Sequence, residues 1–371
     1  MPLDPLPDWQ AVGLRVAHAR NALGLTQADL AARLEIGRSV LAKIEAGARH
    51  LSALELAALA RETGLPIDWF VAESPPAFAS RRTDDLSAPT IIDVRVDVLA
   101  RDVSQLIEMR LLRPNAERPD LAMPRDVAGA EAAATAVRTR LEPGPDRVLD
   151  LAAAAERLGI FPYSLTLQAD VDGRYVALDE QVGVALINGA QPSPRRRYTL
   201  AHEIGHHVFH DAYAVDIDVT GRSEAERIID AFAIHLLLPR ATLERQWREL
   251  DGAAEPRTAA LVIGARYRIS WTALCAHLIN LGVLDRFQGE VMRETMPVGG
   301  EYAELGVDTV DELEAPYVPR AVAQAVVSGY RSHRLGLGRA LELLHGTLSE
   351  ADLPDRHEVP LDALAGELRS P

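Results

Sequence analysis

The stretch His202-Glu203-Ile204-Gly205-His206 constrains this chain more than any other. It reads H-E-x-x-H inside the mostly apolar run Tyr198 to His210. On a helix, residues four apart share a face, so both imidazoles can point at one metal ion. Glu203 sits beside the first histidine, where a carboxylate can serve as general base toward a water molecule.

Zinc needs a third protein ligand. The metzincin pattern requires glycine three residues after the second histidine, and here Phe209 stands there. His210 on a continuing helix lies about 12 Å from His202 along the axis, too far to share the ion. Glu226, within Ser223-Glu-Ala-Glu-Arg-Ile-Ile-Asp-Ala-Phe-Ala233, is the better candidate. The spacing from His206 lets one helix end and a second pack against it. Asp230 falls one turn further on the same face and can orient a ligand imidazole through its other nitrogen. Glu224 competes for the ligand role, but it faces elsewhere if Glu226 faces inward.

A chain of 371 residues has room for two or three domains. Aromatics are only 5 %, and Ala and Leu dominate, which favours a helix-rich fold. The net charge of −15 excludes a surface that binds polyanions globally, so any nucleic-acid contact must be local. Residues 12–72 carry seven basic against six acidic side chains, so the excess acid lies elsewhere. The single cysteine, Cys275, excludes an internal disulfide framework and a cysteine-based zinc finger. The first residues lack the basic start and apolar core of a signal peptide, and no run is long enough to span a membrane. The expected compartment is the cytoplasm, with no membrane partner.

Five short helices are readable in residues 12–72: Val12–Ala22, Gln27–Leu34, Arg38–Ala46, one starting at the Ser52/Glu55 capping box, and a short one in Leu65–Val71. A linker rich in Pro, Ser and charge follows. Helical patterns recur at 92–112, 128–141 and 146–158. Strand signals lie at Ile160–Leu167, Arg174–Leu178 and Val182–Asn188. Helices follow over the H-E-x-x-H segment, 223–238, 257–282, 318–330 and near 337–345. The expected fold is mainly α with a small β-sheet, an α+β chain. Its expected domains are 1–72 (helix-turn-helix), 73–127 (linker and connecting helix), 128–289 (metal domain) and 290–371 (a C-terminal helical region of unassigned role).

Helices Gln27–Leu34 and Arg38–Ala46 form a helix-turn-helix with Leu30, Ala31, Leu34, Leu41 and Ile44 on its apolar seam. This module resembles the XRE (phage-repressor-like) family of DNA-binding domains. The resemblance implies that the Arg38 helix enters the major groove, with Arg38, Ser39 and Lys43 toward base edges or phosphates and Gln27 anchoring the backbone. Gly37 stands where the family usually has a Ser or Thr cap; glycine is a tolerable one.

The segments Arg197–His210 and Asp230–Pro239, with the preceding strand Val184–Asn188, resemble the ImmA/IrrE family of metallopeptidases. The E-x-x-x-D helix is the arrangement used by glutamate-liganded zincins (gluzincins). Asp230 departs from the family's usual Asn, but both can accept a hydrogen bond from a ligand histidine. The resemblance implies one Zn2+ held by His202, His206 and Glu226, Glu203 as catalytic base, and a repressor or other regulator as protein partner. Together the two resemblances imply a DNA-binding transcriptional regulator with a zinc endopeptidase domain, acting on operator DNA and on a partner protein. Alternatives from the same residues are a regulator whose zincin-like domain senses a ligand or stress without proteolysis, and an antitoxin-like partner binder. A homodimer is left open. Tyr198, His207 and His235 are candidates for stabilising an oxyanion. Strand 182–188 is the candidate to pair with an extended substrate. Arg195-Arg196-Arg197 reads as a solvated loop.

Overall fold

Polar caps and apolar periodicity set the helix boundaries at the N-terminal end. In the computed structural model, Thr26 and Ser52 accept hydrogen bonds from the backbone N–H groups of Asp29 and Glu55, whose carboxylates reach back to the cap residues. The structure describes residues 8–71, 78–79, 90–114, 118–141, 150–167, 171–210, 219–250, 255–307 and 310–357. The first five helices are α1 (Trp9–Ala22), α2 (Gln27–Arg33), α3 (Arg38–Glu45), α4 (Ala53–Thr63) and α5 (Ile67–Val71). Their shared core includes Val16, Leu30, Leu41, Ile44, Leu59 and Phe70, all 2 % exposed or less.

A two-residue strand β1 (Phe78–Ala79) precedes α6 (Ile91–Glu108). Then come α7 (Val127–Leu141), α8 (Leu151–Arg157), β2 (Ile160–Leu165), β3 (Gly173–Ala177) and β4 (Gly183–Asn188). After the strands run α9 (Ser193–Val208), α10 (Val219–Leu237), α11 (Arg240–Leu250), α12 (Pro256–Tyr267), α13 (Trp271–Asn280), α14 (Arg286–Glu294), α15 (Gly299–Glu304), α16 (Arg320–Arg331) and α17 (Leu337–Leu343). The chain is mainly α with a small sheet. The sequence-based expectation missed α11, α14, α15 and β1, and it placed the start of α10 four residues late.

The sheet order is β1-β3-β4-β2. β4 pairs in parallel with β2 and antiparallel with β3, so both of its edges are occupied. That corrects the expectation that 182–188 receives a substrate. Side chains alternate across a strand. Ala185 and Ile187 therefore face the core around α9 and α10, while Val184 and Leu186 face the core around α6, α16 and α17. The C-terminal helices thus cover the sheet's second face.

α6 is buried on two sides. Val94 and Val98 pack into the core of the first five helices, while Ile92, Val96, Leu99 and Val103 pack toward the sheet. Trp69 Nε1 donates to Asp97 Oδ2 at 2.8 Å, tying α5 to α6. What the composition marked as a connecting helix is a shared wall between two cores.

Candidate metal centre

α9 begins with Ser193 and Pro194; proline fits the first turn because its missing N–H would have no helical partner there. The helix ends at Val208, and His210 adopts a left-handed φ of 54°. The ligand atoms that converge are those of His202, His206 and Glu226, and His210 is not among them. α10 lies close against α9 because Gly205 has no side chain: a Cβ there would stand 2.8 Å from Ile229 Cγ2 and 3.2 Å from Phe232 Cδ1.

This close packing brings Glu226 to the two histidines. The Nε2 atoms of His202 and His206 are 3.1 Å apart. Glu226 Oε2 is 3.3 Å from the former, and its Oε1 is 3.9 Å from the latter. Tetrahedral zinc, with bonds of about 2.0–2.2 Å, sets its ligand atoms roughly 3.3–3.6 Å apart. The donor set fits that ion. Glu224, exposed, pairs with Arg227 instead.

Asp230 supplies the surrounding order. Its Oδ1 accepts from His202 Nδ1 at 2.9 Å and from the Tyr198 hydroxyl at 3.0 Å. With Nδ1 donating to Asp230, Nε2 is the His202 atom that faces another imidazole and a carboxylate. Burial lowers the basicity of His202, but hydrogen bonds to Asp230 and Glu226 and the charge of Glu203 outweigh it and raise its pKa to about 10. The point where these atoms converge favours positive charge. Burial first, and then the Asp230 carboxylate, push the Tyr198 phenol well up, so it stays a donor.

The three candidate ligands line a cleft of about 480 Å³ together with Glu203, which is 7 % exposed. Gly173, at the start of β3, forms the facing wall. A Cβ there would meet Thr199 Cγ2 at 2.4 Å and Glu203 Oε1 at 3.3 Å, so only glycine lets the strand approach. In the sequence Asp170-Val-Asp-Gly173 is readable only as a turn, which hides this role. Tyr198 carried a readable signal, one helical turn before His202.

Residues 16–70 match the family model described as Helix-turn-helix, and residues 155–278 match the IrrE N-terminal-like domain. The chain therefore carries a helix-turn-helix domain and an IrrE-like domain. No curated protein matches it. A regulator with a protease-like domain is the coarse reading these matches support, and the peptidase family implies a metal, usually zinc. No helix among the described residues is long and apolar enough to cross a membrane.

The IrrE-like domain corrects several expectations. His207 is not in the cleft: it is 1 % exposed, its Nε2 donates to the Leu158 carbonyl at 2.8 Å, and its Nδ1 lies 2.6 Å from the Tyr175 hydroxyl. Burial lowers its pKa to about 3, so it is a neutral core residue. His235 faces a different cavity, and Tyr198 commits its hydroxyl to Asp230. None of the three is free to meet an oxyanion. Arg196 and Arg197 are buried in α9 rather than solvated in a loop. Arg197 pairs with Glu312, which also pairs with Arg268, and Arg196 pairs with Asp311. Only Arg195 stays at the cleft rim, paired with Asp172. Nothing local to the motif signals Glu312, which lies more than a hundred residues away.

In the helix-turn-helix domain, Arg38, Ser39 and Lys43 are exposed on α3. Gln27 is half-buried, and its side chain donates to Glu45 Oε2 at 2.8 Å. Arg20 Nε donates to the other oxygen of Glu45 at 2.6 Å, so this carboxylate ties α1, α2 and α3 together.

Proposed function

We propose that this protein is a DNA-binding regulator whose IrrE-like domain is a zinc-dependent endopeptidase acting on a partner protein. The observation that carries the reading is the convergence of His202, His206 and Glu226 on one point, in a cleft that also contains Glu203. Zinc, when bound, supplies a Lewis acid that polarises the scissile carbonyl and acidifies water. His202, His206 and Glu226 hold it, and Asp230 fixes the His202 ring. Glu203 accepts a proton from the attacking water and passes it to the leaving amine. A substrate in extended form lies along the backbone of Asp172–Tyr175, which lines the cleft. β1 meets β3 beyond that stretch, at Val176 and Ala177. Main-chain pairing there is tolerant of side-chain sequence. At the other end, α3 enters the major groove and Arg38, Ser39, Lys43 and Gln27 contact the operator.

The test pairs metal analysis with cleavage. Wild-type protein is expected to hold zinc and to cut a protein encoded beside its own gene. Glu203→Gln is expected to keep the metal and lose cleavage. A wild-type protein that takes up no zinc overturns the reading.

A further inference from the structure

A second cavity of about 500 Å³ lies beside the metal centre, with α10 and α13 contributing most of its wall. It shares Tyr198 and Asp230 with the cleft. Its size is that of a site for a small organic molecule. Much of its lining is apolar, with Val127, Ala231, Ile234, Ala273 and Leu281 contributing.

Two imidazoles are set into this lining, with ring centroids 4.8 Å apart. His277 Nε2 lies 3.0 Å from the Leu238 carbonyl. A carbonyl accepts only, so Nε2 carries the proton and Nδ1 is left as a lone-pair acceptor. His235 is 3 % exposed, and its Nδ1 has no hydrogen-bond partner among the described residues. That atom is closed off within the wall, which leaves His277 Nδ1 as the acceptor.

The cationic side chains around the cavity are already matched. Arg240 makes paired 3.0 Å hydrogen bonds to Glu131, Arg227 pairs with Glu224, and Asp230 is held by His202 and Tyr198. Burial lowers the basicity of His235 and takes the His277 pKa to about 3, so both rings are neutral. An anion entering here would lose its hydration and find no unmatched cation. A donor group on an apolar body would find both of its requirements met.

We propose that this cavity is a binding site for a small uncharged molecule with an apolar body and one hydroxyl or N–H donor, of the class of a substituted phenol. The proposal goes beyond the peptidase reading and does not depend on it. The test titrates the full chain, isotopically labelled at histidine, with three probes of one shape: p-cresol, toluene and p-toluate. Millimolar p-cresol is expected to saturate and to shift the ring signals of His235 and His277. Toluene, which lacks the donor, is expected to bind about tenfold more weakly, the worth of one hydrogen bond. The p-toluate anion is expected not to bind. Ala273→Phe and, separately, Ala276→Phe place a ring in the cavity and are expected to abolish the p-cresol response. The probe series decides on the wild-type protein alone. No response to p-cresol, or toluene or p-toluate binding as tightly, overturns the proposal. So does p-cresol binding that persists in a folded cavity-filled variant.

Discussion

Helices α3 and α9 both carry their candidate functional side chains at helical spacing, but they treat water in opposite ways. Arg38, Ser39 and Lys43 stand exposed on α3, whereas Glu203 and His206 on α9 are 7 % and 6 % exposed. An exposed polar group is satisfied by solvent and needs only the correct helix face. A buried one must be met by partners from other elements. The α9 site accordingly draws on α10 for Glu226 and Asp230, on β3 for Gly173, and on the Asp311–Glu312 segment for the charge that balances Arg196 and Arg197. One end of the molecule is a presented surface and the other an assembled interior. Substitutions at the two ends should therefore fail differently.

The largest effect is expected at the assembled end. Glu226→Ala removes a candidate ligand and leaves two imidazole nitrogens without the carboxylate beside them. Zinc affinity should fall by more than about 100-fold, beyond what loss of a supporting residue costs. Metal analysis of the purified protein, with a competitive chelator titration, measures it. Retention of near-stoichiometric zinc would break the contrast.

At the presented end, Arg38→Ala with Lys43→Ala should leave folding almost untouched, within about 0.5 kcal/mol, because neither residue packs. Its effect belongs to binding. Each lost phosphate contact lowers the slope of log affinity against log salt by about one, so the pair should reduce it by about two on duplex DNA. Fluorescence anisotropy across a salt series reads the slope. An unchanged slope would show that α3 does not present these charges to the duplex.

The same contrast explains what was legible beforehand. The α3 surface and the H-E-x-x-H spacing are local, and both read directly from residue order. Glu226 and Asp230 were legible because they too lie on one helical face, four residues apart. Tertiary partners were not. β4 has strand composition on both faces, and nothing in its residues tells that it is central and already paired on both edges. The arginine run looks like a charged loop until Asp311 and Glu312 are brought to it. His207, next to a candidate ligand in sequence, points into the core because adjacent helix positions face about 100° apart.

Burial also predicts a pH response inside the assembled end. His277 is 2 % exposed, and burial, with smaller help from His235 and Arg240, lowers its pKa to about 3. The unfolded chain takes up a proton there below about pH 6.5, while the folded chain refuses it. Stability from this group is therefore complete above that pH and is lost as pH falls toward 3. At pH 4.5 the loss is roughly 2–3 kcal/mol. His277→Gln keeps an N–H for the Leu238 carbonyl but cannot titrate. It should show a shallower decline between pH 7 and 4.5 in chemical denaturation, and an equal decline in both proteins would refute the assignment.

The smallest expected effect separates charge from geometry. If charge decides the α3 surface while hydrogen-bond geometry decides the α9 site, Asp230 should matter mainly as an acceptor. Its Oδ1 takes hydrogen bonds from both His202 and Tyr198, and an amide oxygen can do the same. Asp230→Ala removes the acceptor and should cost about 10–100-fold in zinc affinity. Asp230→Asn keeps it, losing only the extra strength of a charged acceptor, so zinc affinity should stay within about fivefold of wild type. The His202 Nδ1 proton should remain slow to exchange in Asp230→Asn and become fast in Asp230→Ala. If the asparagine variant instead falls as far as alanine, the negative charge is what holds His202, and both ends of the molecule would then work through charge.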